Sequence, residues 1–339
     1  MDEVARLAPR DRSDLFRAAA EARGVTVPII EKDFWICWIL RQLFTFDDLP
    51  AELTFKGGTS LSKVFGIIDR MSEDIDLVID RAGLGFAGER DPATAGLGTK
   101  ERERRIEALK RAAAEFIERT LADRLRRRIS DILKPSDAWS LRSDVSNLDN
   151  PLVLFAYPSS EPPSRYLQPS VRLELGARGD TWPSIEGTVK PYAAEISHAR
   201  FGDATIRVRA LAAERTFWEK ATILHAIAHQ EAAKARRMKP ARHYYDVHRL
   251  WRHETGRRAA NDRTLLAEVV RHKSTFFPDR KARYDLAVPG SLRLVPPEAV
   301  AAAIRAEYAT MAAEMVFGEA PSFEEVLEGL GEIEAAVNG

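Results

Sequence analysis

Hydrophobic residues recur every three to four positions over long parts of the chain and alternate with polar residues in several short runs. The first pattern is typical of helices with one buried face, and the second of half-buried strands. Helical spacing predicts helices over residues 11–23, 29–44 and 100–129, and it continues through most of the chain from residue 211 onward. Extended structure is expected at residues 51–56, 74–79, 151–157 and 170–175, and near 185–195 and 204–209.

A glycine pair, Gly57-Gly58, follows the first predicted strand. We expect Thr59 or Ser60 to cap a short helix that begins directly after this pair. Backbone N–H groups at such a helix start can face an anion, and a residue without a Cβ lets a phosphate come close to the backbone. Taken alone, a glycine turn of this kind is weak evidence, because such turns connect strands and helices in many proteins.

Two aspartates, Asp74 and Asp76, alternate along the strand that follows this helix. Side chains two positions apart in a strand project from the same side, so both carboxylates are expected on one face. Carboxylates held this close repel each other unless a cation compensates, and Mg²⁺ is commonly bound by one or two carboxylates together with substrate phosphates. The alternative interpretation is a strand edge with solvated acids.

A third carboxylate is available in the strand at residues 170–175. There Val171, Leu173 and Leu175 share one face and leave Arg172 and Glu174 on the other. If this strand lies beside Asp74 and Asp76, Glu174 completes a cluster able to hold two metal ions. If it does not, Arg172 and Glu174 form an exposed edge.

Lys220 lies on an otherwise largely apolar side of the helix predicted from residue 211 to about 230. It can extend to water or reach a phosphate in a cleft, and the spacing alone does not decide between these roles. In the next helix Asp246 follows Arg242 by four residues and precedes Arg249 by three, so an ordinary ion pair is available there.

Glu31, Lys32 and Asp33 occupy the first turn of the second predicted helix. The simpler interpretation of these three residues is a solvated helix start, since acids near the positive end of the helix dipole are favourable. The alternative is that they form a wall of an active cleft.

Charge is balanced over the whole chain but not along it. Lys and Arg total 51, as do Asp and Glu, so net charge does not indicate a nucleic-acid partner. Residues 100–128 nevertheless carry eleven basic and six acidic residues, and a second basic segment covers residues 234–242. The arginines at 124–128 are interpreted as a solvated face with internal ion pairs, with an RNA-binding track as the alternative.

Cysteine content and hydropathy point to a cytoplasmic protein. The single cysteine, Cys37, excludes an internal disulfide, and charged residues rather than an apolar signal segment follow Met1. No uninterrupted apolar run approaches the roughly 20 residues that a membrane-spanning helix needs. We therefore expect a soluble protein with no membrane partner.

The motifs together resemble those of the AbiEii/AbiGii toxin family of nucleotidyltransferases, members of the DNA polymerase β-like superfamily that includes the MenT toxins. The resemblance covers roughly residues 28 to 285. It implies an α+β fold, in which a polymerase β-like mixed sheet core with flanking helices is followed by an α-helical lobe; we place these at residues 1–210 and 211–339. The matching motifs are GGTS at 57–60, SEDID at 72–76, EKD at 31–33, EK at 219–220 and RHYYD at 242–246.

The resemblance also implies roles for individual residues. The metal ligands would be Asp74 and Asp76, and we assign Glu174 as the third carboxylate of the superfamily. Lys220 and Asp246 complete the predicted catalytic set. The residues predicted to bind the nucleotide are Lys56, Gly57, Gly58, Thr59, Ser60, Lys63, Ser72, Lys220 and Arg242.

The function implied is that of a toxin in a toxin–antitoxin or abortive-infection system. Such an enzyme would transfer NMP from an NTP to an RNA acceptor, such as a tRNA 3′ end, with Mg²⁺ or Mn²⁺ as cofactor and a cognate antitoxin as partner. Two alternatives remain open: NMP transfer to a protein side chain, including Ser60 or Ser72 of the same chain, and a non-catalytic nucleotide-binding regulator.

Overall fold

The computed structural model describes residues 1–134, 136–161 and 167–339. The chain divides into two compact units. The first unit consists of Met1–Val64 and Glu73–Ala210, and the second of Phe65–Ser72 and Leu211–Gly339. The chain therefore passes between the units three times, and the short segment Phe65–Ser72, which we call the arm, belongs to the second unit although first-unit sequence flanks it on both sides.

The first unit is built on a seven-stranded mixed sheet. The strands are β1 (Leu53–Lys56), β2 (Asp74–Ile79), β3 (Ser140–Asp144), β4 (Leu152–Ala156), β5 (Ser170–Gly176), β6 (Ser184–Val189) and β7 (Ile206–Leu211). Their order in the sheet is β3-β4-β5-β2-β1-β7-β6. Strand β2 pairs antiparallel with β1 on one side and parallel with β5 on the other, while β4 pairs antiparallel with β3 and β5.

Helices cover the sequence before and between these strands. The long helical stretch after residue 98 contains a π-helical turn, Ile117–Leu121, between two α-helices. A short 3₁₀ helix lies at Gly88–Arg90. The α-helices are α1 (Asp2–Ala5), α2 (Pro9–Arg23), α3 (Val27–Phe44), α4 (Gly57–Lys63), α5 (Thr99–Phe116), α6 (Ala122–Ile132), α7 (Tyr192–Ile196) and α8 (His198–Phe201).

The core of the first unit lies where α3 packs against the sheet. Trp35 and Trp38 of α3 contact Phe155 of β4 with ring centroids 5.8 Å apart in each case, and all three side chains are fully buried. Val171 and Leu173 of β5 are buried as well. A helix that is apolar on nearly every side is stable only when it is buried, so α3 covers one face of the sheet and leaves the polar side chains of β2 and β5 on the opposite face.

The second unit is helical. Its α-helices are α9 (Ala213–Ala228), α10 (Ala232–Arg237), α11 (Ala241–Arg252), α12 (Glu254–Asn261), α13 (Arg263–Phe276), α14 (Glu298–Met315) and α15 (Phe323–Asn338). Short 3₁₀ helices lie at Arg280–Ala282 and Tyr284–Leu286. Helix α11 packs against α9, α12 and α15, and α15 begins with a capping box formed by Ser322 and Glu325.

The predicted α+β class, with a mixed sheet and many helices, is confirmed. Strand β3 was not predicted. The prediction of extended structure over residues 185–195 is correct only for β6. After Pro191 the chain forms a helix instead, because proline is favourable at the start of a helix. The connector between β4 and β5 lies partly outside the described residues. No helix in the described parts of the chain is both long and apolar enough to cross a bilayer.

Candidate functional site

The turn from β1 into α4 brings a glycine against the carboxylate of Asp76. Helix α4 begins at Gly57, immediately after the last residue of β1. Gly57 has a φ of +82°, and a Cβ added to it would lie only 1.9 Å from Oδ2 of Asp76. A side chain here would therefore require both an unfavourable backbone conformation and a displaced carboxylate.

The prediction that Thr59 or Ser60 caps this helix is wrong, because α4 begins two residues before Thr59 and has no side-chain cap. The Thr59 hydroxyl instead donates to the backbone carbonyl oxygen of Asp74, and the Ser60 hydroxyl donates to that of Gly57. Both side chains are buried. These hydroxyls thus tie α4 to its own first turn and to the start of β2.

Asp74 and Asp76 lie on one face of β2, as the alternation predicts. Both are half-buried, whereas Ile75 and Leu77 between and after them are buried on the other face. Asp76 is the register partner of Lys56, which is also half-buried at the end of β1. The two carboxylates are therefore presented on the face that α3 does not cover.

Strand β5 does lie beside β2, which was the condition for Glu174 to join the aspartates. The two strands run parallel, with Asp74 in register with Arg172 and Asp76 in register with Glu174. Arg172 donates to Oε1 of Glu174 at 2.9 Å, and the two side chains are 48% and 45% exposed. Among the described residues, no three His, Cys, Asp or Glu side chains are arranged to hold a metal ion, so the role of Glu174 as a ligand stays a prediction.

The donor set on this face fits a hard divalent cation. It offers carboxylate oxygens from Asp74 and Asp76, and Mg²⁺ in phosphoryl-transfer sites takes one or two carboxylates and completes its shell with substrate phosphates and water. The missing Cβ of Gly57 leaves the space that the Asp76 carboxylate occupies. These two aspartates are the residues that would hold the ion.

Lys63, whose nucleotide contact stays a prediction, forms a buried ion pair. Its ammonium group lies 2.6 Å from Oδ1 of Asp33 and 3.5 Å from the ring centroid of Tyr192, and both members of the ion pair are buried. Burial alone would lower the pKa of Lys63, but the Asp33 carboxylate outweighs it, so the pKa is raised and the lysine stays charged. In this arrangement Lys63 anchors the end of α4.

The interpretation of Glu31, Lys32 and Asp33 as a solvated helix start is wrong, because all three side chains are buried. Glu31 accepts hydrogen bonds from the backbone N–H of Ser160 and from its hydroxyl, both at 2.7 Å. Lys32 lies 2.6 Å from Oε2 of Glu73. These three side chains are buried because they belong to the apolar helix α3, which is covered by other parts of the unit on nearly every side.

The pairs made by Lys32 and Asp33 hold the two parts of the glycine and aspartate motif. Asp33 binds Lys63, the last residue of α4, and Lys32 binds Glu73, which directly precedes Asp74. Breaking a buried ion pair by removing one partner costs about 3–5 kcal/mol, which applies to Asp33 and Lys63, whereas Glu73 is 34% exposed and its pair with Lys32 is weaker. Neither positioning role was predicted, although three consecutive charges within an otherwise apolar helix were the available signal.

In the second unit, Asp246 is fully buried and bound by two cations. Its carboxylate accepts from Nε and Nη2 of Arg70 at 2.7 and 2.8 Å, and the ammonium of Lys220 lies 2.9 Å away. Burial would raise the pKa of Asp246, but Arg70 and Lys220 outweigh it and lower the pKa below its ordinary value. The neighbours expected to pair with Asp246 do not, since Arg242 is exposed and Arg249 binds Asp69.

Lys220 does not extend to water. Its side chain is buried, and its ammonium also lies 3.5 Å from Nδ1 of His243, whose pKa is lowered well below the ordinary value by burial and then by the lysine charge. The predicted contact of Lys220 with a triphosphate stays a prediction, as do the nucleotide contacts of Gly58, Ser72 and Arg242. Gly58 is buried in the first turn of α4, and Ser72 is the last residue of the arm.

Most of the arginines at the end of the long helical stretch bind other residues of the first unit. Arg124 pairs with Asp48, and Arg126 pairs with Asp123. Arg128 donates to the backbone carbonyl oxygen of Gln42 at 3.0 Å. Ion pairs therefore account for most of this face, while Arg127 is exposed.

Comparisons with known proteins identify a family. The family model described as nucleotidyl transferase AbiEii toxin, type IV toxin–antitoxin system, matches residues 38–329. Among solved structures, the chain is similar to MenT4, a nucleotidyltransferase toxin from Mycobacterium tuberculosis H37Rv, with 16% identity, a TM-score of 0.40, and coverage of 96% of this chain and 97% of that one. No curated protein matches the sequence. Because the family model spans most of the chain, the protein belongs to the AbiEii family of nucleotidyltransferase toxins of type IV toxin–antitoxin systems.

Proposed function

We propose that this protein transfers a nucleoside monophosphate from an NTP to the 3′-hydroxyl of an RNA, such as a tRNA. The observation that carries the proposal is the placement of Asp74 and Asp76 on one half-buried sheet face, with the Asp76 carboxylate seated against Gly57. Family membership implies a nucleotide substrate and an antitoxin. The acceptor and the cofactor are our own additions to that description.

The reaction is an in-line displacement at the α-phosphorus. The 3′-oxygen of the acceptor forms a bond to this phosphorus while the bond to the oxygen that bridges the α- and β-phosphates breaks, and pyrophosphate leaves with that bonding electron pair. The hydroxyl proton passes to a carboxylate or to water. Little covalent chemistry falls to the protein, so positioning and charge stabilisation dominate.

The residues around Gly57 supply the positioning. Asp74 and Asp76 would hold Mg²⁺ or Mn²⁺, which when bound supplies Lewis-acid stabilisation of the phosphate charge. Lys56, the register partner of Asp76, is placed to offset negative charge on the same face. Glu174 is proposed to accept the hydroxyl proton, because it is the register partner of Asp76 and its pair with Arg172 is exposed and therefore weak.

The test uses the full chain with each of the four α-labelled NTPs, Mg²⁺ or Mn²⁺, and total tRNA. Asp76→Asn removes a carboxylate charge from the site, and Asp80→Asn is its matched control, since Asp80 directly follows β2 and binds the backbone N–H of Ala82. We expect label in RNA with wild type and Asp80→Asn, and a loss on the order of 10³ with Asp76→Asn, as several kcal/mol of charge stabilisation disappear.

Other outcomes would replace the proposal. Label found only in protein would establish a protein side chain as the acceptor. NTP binding without label in any product would support a non-catalytic regulator. Transfer to RNA that is undiminished by Asp76→Asn would remove the aspartates from the site.

A further inference from the structure

The polar face of the sheet continues from the aspartates to the edge strand β3. Pairing across four strands aligns Arg142 of β3, Leu154 of β4, Arg172 of β5 and Asp74 of β2 in one row. Residues in register on neighbouring strands project to the same side of a sheet. These four side chains therefore lie on the face that also carries Asp76; we call this surface the open face.

Burial supports this assignment. Arg142 and Arg172 are exposed, and Leu152 and Leu154 of β4 are only half-buried, although leucines on the opposite face are buried. On that opposite face Phe155 and Leu173 have no exposed surface at all. The open face thus presents an aliphatic strip on β4 between two arginine-bearing strands.

The two arginines of the row can contact an anionic ligand, while Asp74 lies in the same row and Asp144, Glu174 and Asp76 lie in the neighbouring one. Arg142 has no ion-pair partner among the described residues. Arg172 pairs with Glu174 through two exposed side chains, and because such pairs are weak, the guanidinium can exchange partners. In the neighbouring row, Asp144 already accepts from the N–H and hydroxyl of Ser146.

We infer that the open face binds single-stranded RNA, with Arg142 and Arg172 contacting phosphates, Leu152 and Leu154 lying beneath bases, and the 3′ end at Asp74. Strands lie about 4.8 Å apart, so the backbone of Arg142 is about 14 Å from that of Asp74, and the row forms a track leading to the aspartates. Sheets that bind single strands stack splayed bases on aromatic side chains and hold the phosphates with basic ones; here two leucines supply the apolar surface in place of aromatic rings. This inference rests on the proposed function and specifies where its acceptor binds.

The experiment measures binding of a short, fluorescently labelled single-stranded RNA to the full chain without NTP, over a series of salt concentrations. Arg142→Gln and the double variant Arg142→Gln/Arg172→Gln are compared with Arg127→Gln, an exposed arginine on α6. Each arginine that no longer binds a phosphate is expected to reduce the slope of log K against log salt by about 0.7, with a parallel fall in affinity. Arg127→Gln is expected to leave both the slope and the affinity unchanged.

The possible results separate the inference from the proposed function. Wild-type affinity and salt slope in the double variant would overturn the inference, and a loss confined to Arg127→Gln would assign the RNA to the arginines at 124–128 instead. Undiminished label transfer to RNA in the double variant would also overturn it while the proposed function stands. RNA binding that depends on Arg142 without any transfer of label would support the open face and remove the proposed function. Replacing these exposed arginines should leave the stability of the fold almost unchanged, and thermal unfolding of each variant checks this.

Discussion

Asp76 and Asp246 were both predicted to be catalytic, yet they lie in contrasting surroundings. Asp76 is half-buried on the open face and is kept in place by the absence of a side chain on Gly57. Asp246 has no exposed surface, and its carboxylate is bound by Arg70 and Lys220. The first is placed where a ligand can reach it, whereas the second is enclosed within its own unit by two cations.

We infer from this contrast that the two aspartates have different roles. A carboxylate that binds an ion and substrate must remain accessible, and its contribution to stability is correspondingly small. A carboxylate that neutralises two buried cations contributes chiefly to stability, because either cation would be left unpaired without it. Three experiments test this difference.

The largest effect is expected from Asp246→Asn, which leaves Arg70 and Lys220 as buried cations without a counter-charge. We expect the free energy of unfolding to fall by about 3–5 kcal/mol in a denaturant titration. Asp69→Asn is the matched control, because Asp69, like Asp246, pairs with an arginine in the second unit but is 58% exposed. Its loss is expected to be about 0–1 kcal/mol.

Asp76→Asn completes this comparison, since it should change stability by no more than about 0.5 kcal/mol while abolishing transfer. Equal destabilisation by Asp246→Asn and Asp69→Asn would show that burial of the ion pair does not determine how much it contributes to the free energy of unfolding. A stable but inactive Asp246→Asn variant would support the predicted catalytic role of Asp246.

An intermediate effect is expected from Gly57→Ala. Gly85 has a φ of +83°, nearly the same as Gly57, but a Cβ there would meet its nearest neighbour at an ordinary 3.6 Å. Gly85→Ala thus reproduces the backbone strain, and the difference between the two variants reports the collision with Asp76. We expect Gly57→Ala to lose about 1–3 kcal/mol more stability and to lose transfer activity, while Gly85→Ala stays active. Equal transfer activity in the two variants would show that the close packing of Gly57 against Asp76 is not required for activity.

The smallest effect concerns pH and His248. Burial, followed by the charges of Arg252 and Arg249, lowers the pKa of His248 to about 4. The unfolded chain binds this proton near pH 6.5 and the folded one does not, so stability is fully present above about pH 6.5 and falls as pH approaches 4. In His248→Asn, the slope of unfolding free energy against pH should be smaller in this window.

Three other buried groups also contribute to the dependence of stability on pH. His225 and His243 also have lowered pKa values and remain in the variant, so the slope is reduced rather than removed. Asp246, with its lowered pKa, stabilises the fold above the ordinary aspartate pKa, and that stability is lost only at more acidic pH. An unchanged slope in His248→Asn would show that His248 titrates normally in the folded protein.

Local patterns were sufficient to predict much of the first unit. The alternation in β2 and β5 gave the faces of Asp74, Asp76 and Glu174 correctly, because side-chain direction in a strand depends only on position. The pairing of β5 with β2 could be stated only as a condition, since neither strand contains information about its neighbour. Strand β3, SLRSD, is short and polar at its exposed positions, so its pattern is weak.

Partners distant in sequence were the part that could not be predicted. Helical spacing suggested Arg242 and Arg249 for Asp246, but the cation that binds it twice is Arg70, 176 residues away. Likewise, the predicted position of Lys32 and Asp33 in a first helical turn indicated that both are exposed to solvent. Their partners, Glu73 and Lys63, lie outside that helix and could not be predicted from it. Burial of a whole helix overrides the local preference of its end.

The arm has a consequence for how the protein is made. Arg70 pairs with Val316 in an isolated antiparallel bridge, the N–H of Met71 donates to Met315, and the N–H of Phe317 donates to Asp69. These hydrogen bonds join the segment between α4 and β2 to the end of α14, so they form only after nearly the whole chain has left the ribosome. Long-range closures of this kind come late in folding. A prematurely terminated chain would therefore contain the glycine turn and both aspartates while the segment that joins them remains undocked.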